Sequence, residues 1–127
     1  MRVGIDTVDI DRFRAALERQ PRMVDRLFGE AERATLSGRA DPAPGYAARF
    51  AAKESLIKAL GGAPSSWSWH EIEVLVEASG APYLELHGGM AEHAQSCGVV
   101  NTAVSLSHDG NQAIAIVIVE GAQWNRS

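Results

Sequence analysis

Between Arg2 and Glu120 the apolar positions switch repeatedly between an alternating pattern and a helical one, and each switch marks an expected element. Arg2 to Val8 mixes β-branched residues with Gly4 and reads as a short strand that runs directly into Asp9-Ile10-Asp11, a helix start with acids in its first turn. Ile10, Phe13 and Leu17 recur at helical spacing as far as Pro21, and shorter helical stretches are expected over Met23 to Leu27 and Glu30 to Leu36. Ser37 to Gly45, with Gly38, Pro42, Pro44 and Gly45, reads as a loop. Tyr46 to Leu60 holds five alanines and stops at Gly61-Gly62, so a helix is expected, with Tyr46, Phe50, Ile57 and Leu60 as its buried stripe.

His70 to Glu77 is an apolar run suited to a strand, Ser79-Gly80 gives a turn, and Tyr83 to His87 alternates as the hairpin partner; a short helix is expected near Met90 to Cys97. Thr102 to Ser107 and Ala113 to Glu120 are strand-like and flank Asp109-Gly110-Asn111, a strong hairpin signal. Ala113 to Val119 is apolar on both faces, which a small domain seldom covers unaided, so a subunit interface is expected on one side of it. The pattern predicts an α+β fold over 1–127, a single small domain with an antiparallel sheet packed against a long helix.

Composition narrows the function classes. With 46% hydrophobic and 22% charged residues the chain has the balance of an ordinary globular protein. No stretch approaches the roughly 20 apolar residues of a membrane span, and the start of the chain lacks the apolar run of a secretory signal. The single Cys97 forms no internal disulfide, in keeping with a reducing cytoplasm, where the protein is expected to reside. A net charge of −4 disfavours nucleic acid as a partner. Six of the twelve basic residues nevertheless fall at Arg12, Arg14, Arg19, Arg22, Arg26 and Arg33, either a surface for an acidic partner or, since Glu18, Asp25, Glu30 and Glu32 are interleaved, a solvated helical face.

At about 100° per residue, Glu54 lies about 40° from Phe50 and about 60° from Ile57, so a carboxylate borders the buried stripe, with Lys58 one turn on and Lys53 toward the apolar side. Buried charges require partners. One reading is an ion pair from Glu54 to Lys58 at i,i+4 with Lys53 reaching outward. Asp6, at the end of the first strand, is either a helix cap or, with Glu54, one of two acids from separate elements that hold a hard divalent ion such as Mg²⁺, leaving Arg49, Lys53 and Lys58 to suit the phosphates of the same ligand.

Val3-Gly4-Ile5-Asp6-Thr7-Val8-Asp9-Ile10-Asp11-Arg12-Phe13, followed by Arg49-Phe50-Ala51-Ala52-Lys53-Glu54 and Lys58-Ala59-Leu60-Gly61, closely resembles the holo-acyl-carrier-protein synthase family of phosphopantetheinyl transferases. Phe28-Gly29-Glu30-Ala31-Glu32, the hairpin from Ile72 through Gly80-Ala81-Pro82-Tyr83, and Val104-Ser105-Leu106-Ser107-His108 extend the likeness over nearly the whole chain. The resemblance implies Asp6 and Glu54 as Mg²⁺ ligands, and Asp6, Glu54 and Lys58 as the catalytic set. It implies Arg49, Lys53, Lys58, Gly80, Pro82 and His108 as the coenzyme A environment, and Arg12 with Arg14 as contacts to an acyl carrier protein. It also implies a homotrimer with active sites between subunits. The turn Ser79-Gly80-Ala81-Pro82 departs from relatives that often carry Asn and Lys there, and Asp109-Gly110-Asn111 departs from a Thr followed by a basic residue.

The implied reaction is attack by a carrier-protein serine on the β-phosphate of coenzyme A with release of adenosine 3′,5′-bisphosphate. Three groups are candidates for the base: Glu54, a water on the metal, or Glu32. His70, His87 and His93 lack metal-ligand spacing, and Trp67, Trp69 and Trp124 read as packing groups. The competing readings are a transferase serving several kinds of carrier, a coenzyme A-binding module without transfer, and a structural trimer whose charges pair internally.

Overall fold

The computed structural model describes residues 1–122 and 124. Strand β1 (Arg2–Asp9) leads into α1 (Ile10–Arg19), α2 (Arg22–Leu27) and α3 (Glu30–Leu36), and then into the long α4 (Ala43–Leu60). A 3-10 turn at Trp69–Glu71 opens the hairpin β2 (Ile72–Val76) and β3 (Pro82–Leu86); α5 (Gly88–Ser96), β4 (Val99–Asp109) and β5 (Gln112–Gly121) follow. All pairing is antiparallel, in a three-stranded sheet of order β1-β5-β4 and a separate two-stranded ribbon of β2 and β3. The single expected sheet is thus two.

The elements form where local chemistry favours them. Asp9 has extended backbone and its carboxylate accepts from the Arg12 amide at 2.9 Å, capping α1. Asn111 in the β4–β5 turn ties the same cap down, donating to Asp9 Oδ1 at 2.8 Å and accepting from the Asp11 amide at 3.0 Å. Gly110 takes φ 57° as the first residue of that two-residue turn, a position that favours glycine. The stretch Ala43 to Gly45, expected as loop, is the first turn of α4, where Pro44 has no amide hydrogen to lose.

The buried stripe of α4 is also broader than the one expected. Ala47, Ala51, Ala52, Ser55, Leu56 and Ala59 are almost wholly enclosed, whereas Phe50 and Ile57 are only half-buried. The helix runs between the sheet on one side and the ribbon and α1 on others, and its alanines let those neighbours come close. Tightest of all is its crossing with β1, where a Cβ on Gly4 would stand 1.9 Å from the Ser55 carbonyl oxygen. Ser55 secures the other side by donating to the carbonyls of Ala51 at 2.7 Å and Ala115 at 3.1 Å. Gly4→Ala must therefore push β1 off α4 and should cost about 3 kcal/mol, the upper end for overpacking. Denaturant unfolding reads this directly, and an unchanged midpoint would show that the crossing relaxes freely.

On β5, Ala113, Ala115, Val117 and Val119 face α4 and are fully buried. Ile114, Ile116 and Ile118 face away and are only half-buried, beside Val3 and Ile5 of β1, which are 58% and 57% exposed. One face of the sheet is thus covered within the chain and the other is an apolar patch open to solvent.

Candidate active site

The crossing at Gly4 fixes where the next residues of β1 meet α4. Two residues on, Asp6 points to the same face of the strand and meets the helix at Glu54 and Lys58, beside the Ser55 and Ala59 backbone that crosses Gly4. Lys58 donates to Asp6 Oδ1 at 2.9 Å and to the Ile5 carbonyl at 3.1 Å. The lysine therefore bridges to the strand, and the i,i+4 pair with Glu54 is not what holds it. Glu54 sits beside Asp6 as well: burial first, and then the hydrogen bond and charge of the neighbouring Asp6 carboxylate, push its carboxyl up to about 7, with Lys58 opposing. Asp6 is not a helix cap, since Asp9 fills that role and Asp6 lies within β1 opposite Ala115. Two acids remote in sequence and one lysine thus converge.

Two like charges held together in a partly buried place, with a single lysine between them, leave negative charge uncompensated at neutral pH. A hard cation with oxygen ligands relieves this, so the donor set fits Mg²⁺.

A second group of predicted residues gathers elsewhere. Arg49, Gly80, Pro82 and His108 line a cavity of about 420 Å³ together with Arg39 and Ser107. The Arg49 guanidinium is buried, reaches the Gly45 carbonyl at 3.4 Å, and leaves its Nε without a hydrogen-bond partner. Burial, and next the charge of Arg39, pull the pKa of Arg49 down. Gly45 packs closely here: a Cβ there would stand 2.6 Å from Leu36 Cδ2 and 3.0 Å from Arg39 Nη1. Two guanidiniums and an imidazole around one cavity suit an anion, and the unpartnered Nε is a donor awaiting an acceptor. Arg39 carries no signal of its own in the sequence, because the glycines and prolines around it mark only a loop.

Lys53 does not join either group, a correction to its expected place near coenzyme A. Its ammonium is fully enclosed and donates to the Leu27 carbonyl at 2.6 Å, to Glu32 Oε1 at 2.8 Å and to the Trp69 carbonyl at 3.2 Å, which uses all three hydrogens. Nor is Glu32 available as a base. It is buried with Lys53, and it also accepts from the amides of Gly29 at 3.0 Å and Val74 at 3.2 Å. The pair ties α3, α4 and the start of the ribbon together.

On the basic helical surface, Arg12 is exposed and takes part in no ion pair among the described residues. Arg14 differs: its guanidinium bridges Asp11 and Asp41, each at 2.7 Å. Trp67 and Trp69 pack edge-on with centroids 4.6 Å apart, and Trp69 continues onto Phe50 at 5.1 Å.

An acid pair with a lysine at a strand–helix crossing, and a basic cavity on another side of the same helix, make up the equipment of a protein that handles a phosphate-bearing ligand. The sequence profile of the 4′-phosphopantetheinyl transferase superfamily matches residues 2–117, and the chain belongs to that superfamily. Holo-[acyl-carrier-protein] synthase of Streptomyces griseus is 51% identical over 94% of this chain and 97% of its own length. Among solved structures, a coenzyme A complex of the synthase from Chronobacterium ammoniagenes superposes with a TM-score of 0.86 at 31% identity, covering 96% of this chain and 98% of that one. The acyl carrier protein synthase of Mycobacterium tuberculosis gives 0.75 at 35% identity, covering 94% and 96%. The expected family and its α+β fold are borne out. Among the described residues, no helix is long and apolar enough to cross a membrane.

Proposed function

We propose that this chain, acting as one transferase domain over 1–127, moves the 4′-phosphopantetheine arm of coenzyme A onto a serine of an acyl carrier protein, with Mg²⁺ held by Asp6 and Glu54. The observation that carries the proposal is the convergence of those two acids with Lys58, in a member of this superfamily whose relatives include holo-acyl-carrier-protein synthases and coenzyme A complexes.

In the reaction the serine oxygen bonds to the β-phosphorus of coenzyme A, the bond to the bridging oxygen breaks, and adenosine 3′,5′-bisphosphate leaves; the serine hydroxyl proton must be accepted. Mg²⁺ held by Asp6 and Glu54 would supply charge neutralisation for the diphosphate. Lys58, 54% exposed at its side chain and anchored on Asp6 and the Ile5 carbonyl, has one hydrogen left to offer the departing phosphate. With Glu32 enclosed, Glu54 is the candidate in this chain to take the proton.

Arg49 and Glu54 lie about 140° apart around α4, so the basic cavity and the acid pair open on different sides of it. A coenzyme A spanning both is best accommodated where the acid pair of one subunit meets the cavity of the next. The uncovered face of Val3, Ile5, Ile114, Ile116 and Ile118 supports the homotrimer this requires. The cytoplasm, where both substrates occur, is the proposed location.

The test is mass spectrometry of apo carrier protein incubated with the chain, coenzyme A and Mg²⁺. A gain of one phosphopantetheine is expected; no gain with coenzyme A still bound would favour a binding module. Arg12→Glu should raise the carrier KM about tenfold, on the order of 1.4 kcal/mol of lost attraction, and leave the coenzyme A KM alone. An equal effect on both would remove Arg12 from the docking surface.

A further inference from the structure

The β2–β3 ribbon carries a cluster that the transfer reaction does not use. Its inward face is apolar, with Ile72 and Val74 buried and Leu84 and Leu86 packed against the core. On its outward face Glu73 and Glu85 stand directly opposite each other in the strand register, an arrangement in which two like charges repel. His87, two residues beyond Glu85, reaches back to both: its Nε2 is 2.6 Å from Glu73 Oε1 and 3.8 Å from Glu85 Oε1. Among the described residues, the ion pairs give these two carboxylates no other partner. Lys53 acts on Glu73 from the buried side, but its hydrogens are already committed.

One ligand atom from each of the three residues lies within 4.8 Å of the others. Around a tetrahedral zinc with bonds near 2.0–2.2 Å, neighbouring ligand atoms stand about 3.3 Å apart. The two imidazole–carboxylate distances bracket that value, each within about 1 Å of it, and His87 and Glu85 are exposed enough to adjust. Spacing along the chain gives His87 no partner; the hairpin register supplies Glu73.

We propose that Glu73, Glu85 and His87 form a second metal site, on the outer face of the β2–β3 ribbon, for a borderline divalent cation of the zinc class. One imidazole with two carboxylates suits such an ion, whereas Mg²⁺ favours an all-oxygen shell. The site is separate from Asp6 and Glu54, and it would clamp the ribbon to the start of α5, which His87 caps.

The test is zinc titration of the untagged full chain carrying Asp6→Asn and Glu54→Gln, which removes the active-site acids. This protein is expected to bind one Zn²⁺ per chain and to keep doing so in excess Mg²⁺. Adding either Glu85→Gln or His87→Ala should weaken zinc at least tenfold while circular dichroism stays unchanged, both positions being well exposed. Absence of stoichiometric zinc, or zinc binding indifferent to both substitutions, overturns the proposal.

Discussion

Glu54→Gln is expected to lower kcat for phosphopantetheine transfer by about 100-fold or more, the factor that ~3 kcal/mol of lost transition-state stabilisation produces. The amide keeps the shape of the side chain and can still contact Asp6, but it removes one of the two proposed anionic ligands and the proposed proton acceptor together. The same variant carries a stability signature. In the metal-free protein the Glu54 carboxyl titrates at about 7, against 4.5 for a free glutamate. Between those values the folded state holds a proton that the unfolded chain has released, so stability falls as pH rises from about 4.5 and is lost through about 7. Half-exposure discounts the size to the order of 1 kcal/mol. Wild type should therefore lose that much more stability than Glu54→Gln between about pH 4.5 and about pH 8 in chelator, measured by urea unfolding at each pH. Parallel pH profiles would show that the acids do not confront each other.

Lys53→Met should destabilise the fold by about 3–5 kcal/mol, the cost of leaving Glu32 as an unpaired charge in the interior. Methionine fills much the same volume, so the loss reports charge more than cavity. Burial pulls the Lys53 pKa down and Glu32 is the main force opposing that pull, which is why neither residue tolerates the other's absence. The double variant Lys53→Met, Glu32→Gln should recover most of the loss, because neither partner of this pair then leaves a lone charge enclosed. If Lys53→Met instead keeps its stability but raises the KM for coenzyme A, the lysine belongs to the ligand after all.

Much of this fold is legible in the residues. Period-two and helical patterns locate each strand and α-helix among the described residues, and the Asp109-Gly110-Asn111 signal places the β4–β5 hairpin, because the chemistry of turns is local. The paired acids are legible as well: an acid bordering the buried stripe of a helix requires a partner, and family likeness identifies it as Asp6. Less visible are properties fixed by contacts remote in sequence. Helical angles put Lys53 toward the interior, but the partner that keeps it there, Glu32, comes from α3 across a tertiary contact that no spacing records. Gly4 looks like any residue within a strand, and only the crossing with Ser55 shows why no side chain fits. The start of α4 is hidden because prolines that break a helix interior are accepted in its first turn. The division of the strands into a sheet and a ribbon likewise depends on long-range pairing.

The most direct measurement is the Mg²⁺ dependence of transfer for wild type and Asp6→Asn, assayed with coenzyme A and apo carrier protein at saturating concentrations. Transfer should vanish in chelator, and Asp6→Asn should require at least tenfold more Mg²⁺ for half-maximal rate. Wild-type transfer that persists without divalent ion, or identical Mg²⁺ curves for the two proteins, would contradict a cation held between Asp6 and Glu54.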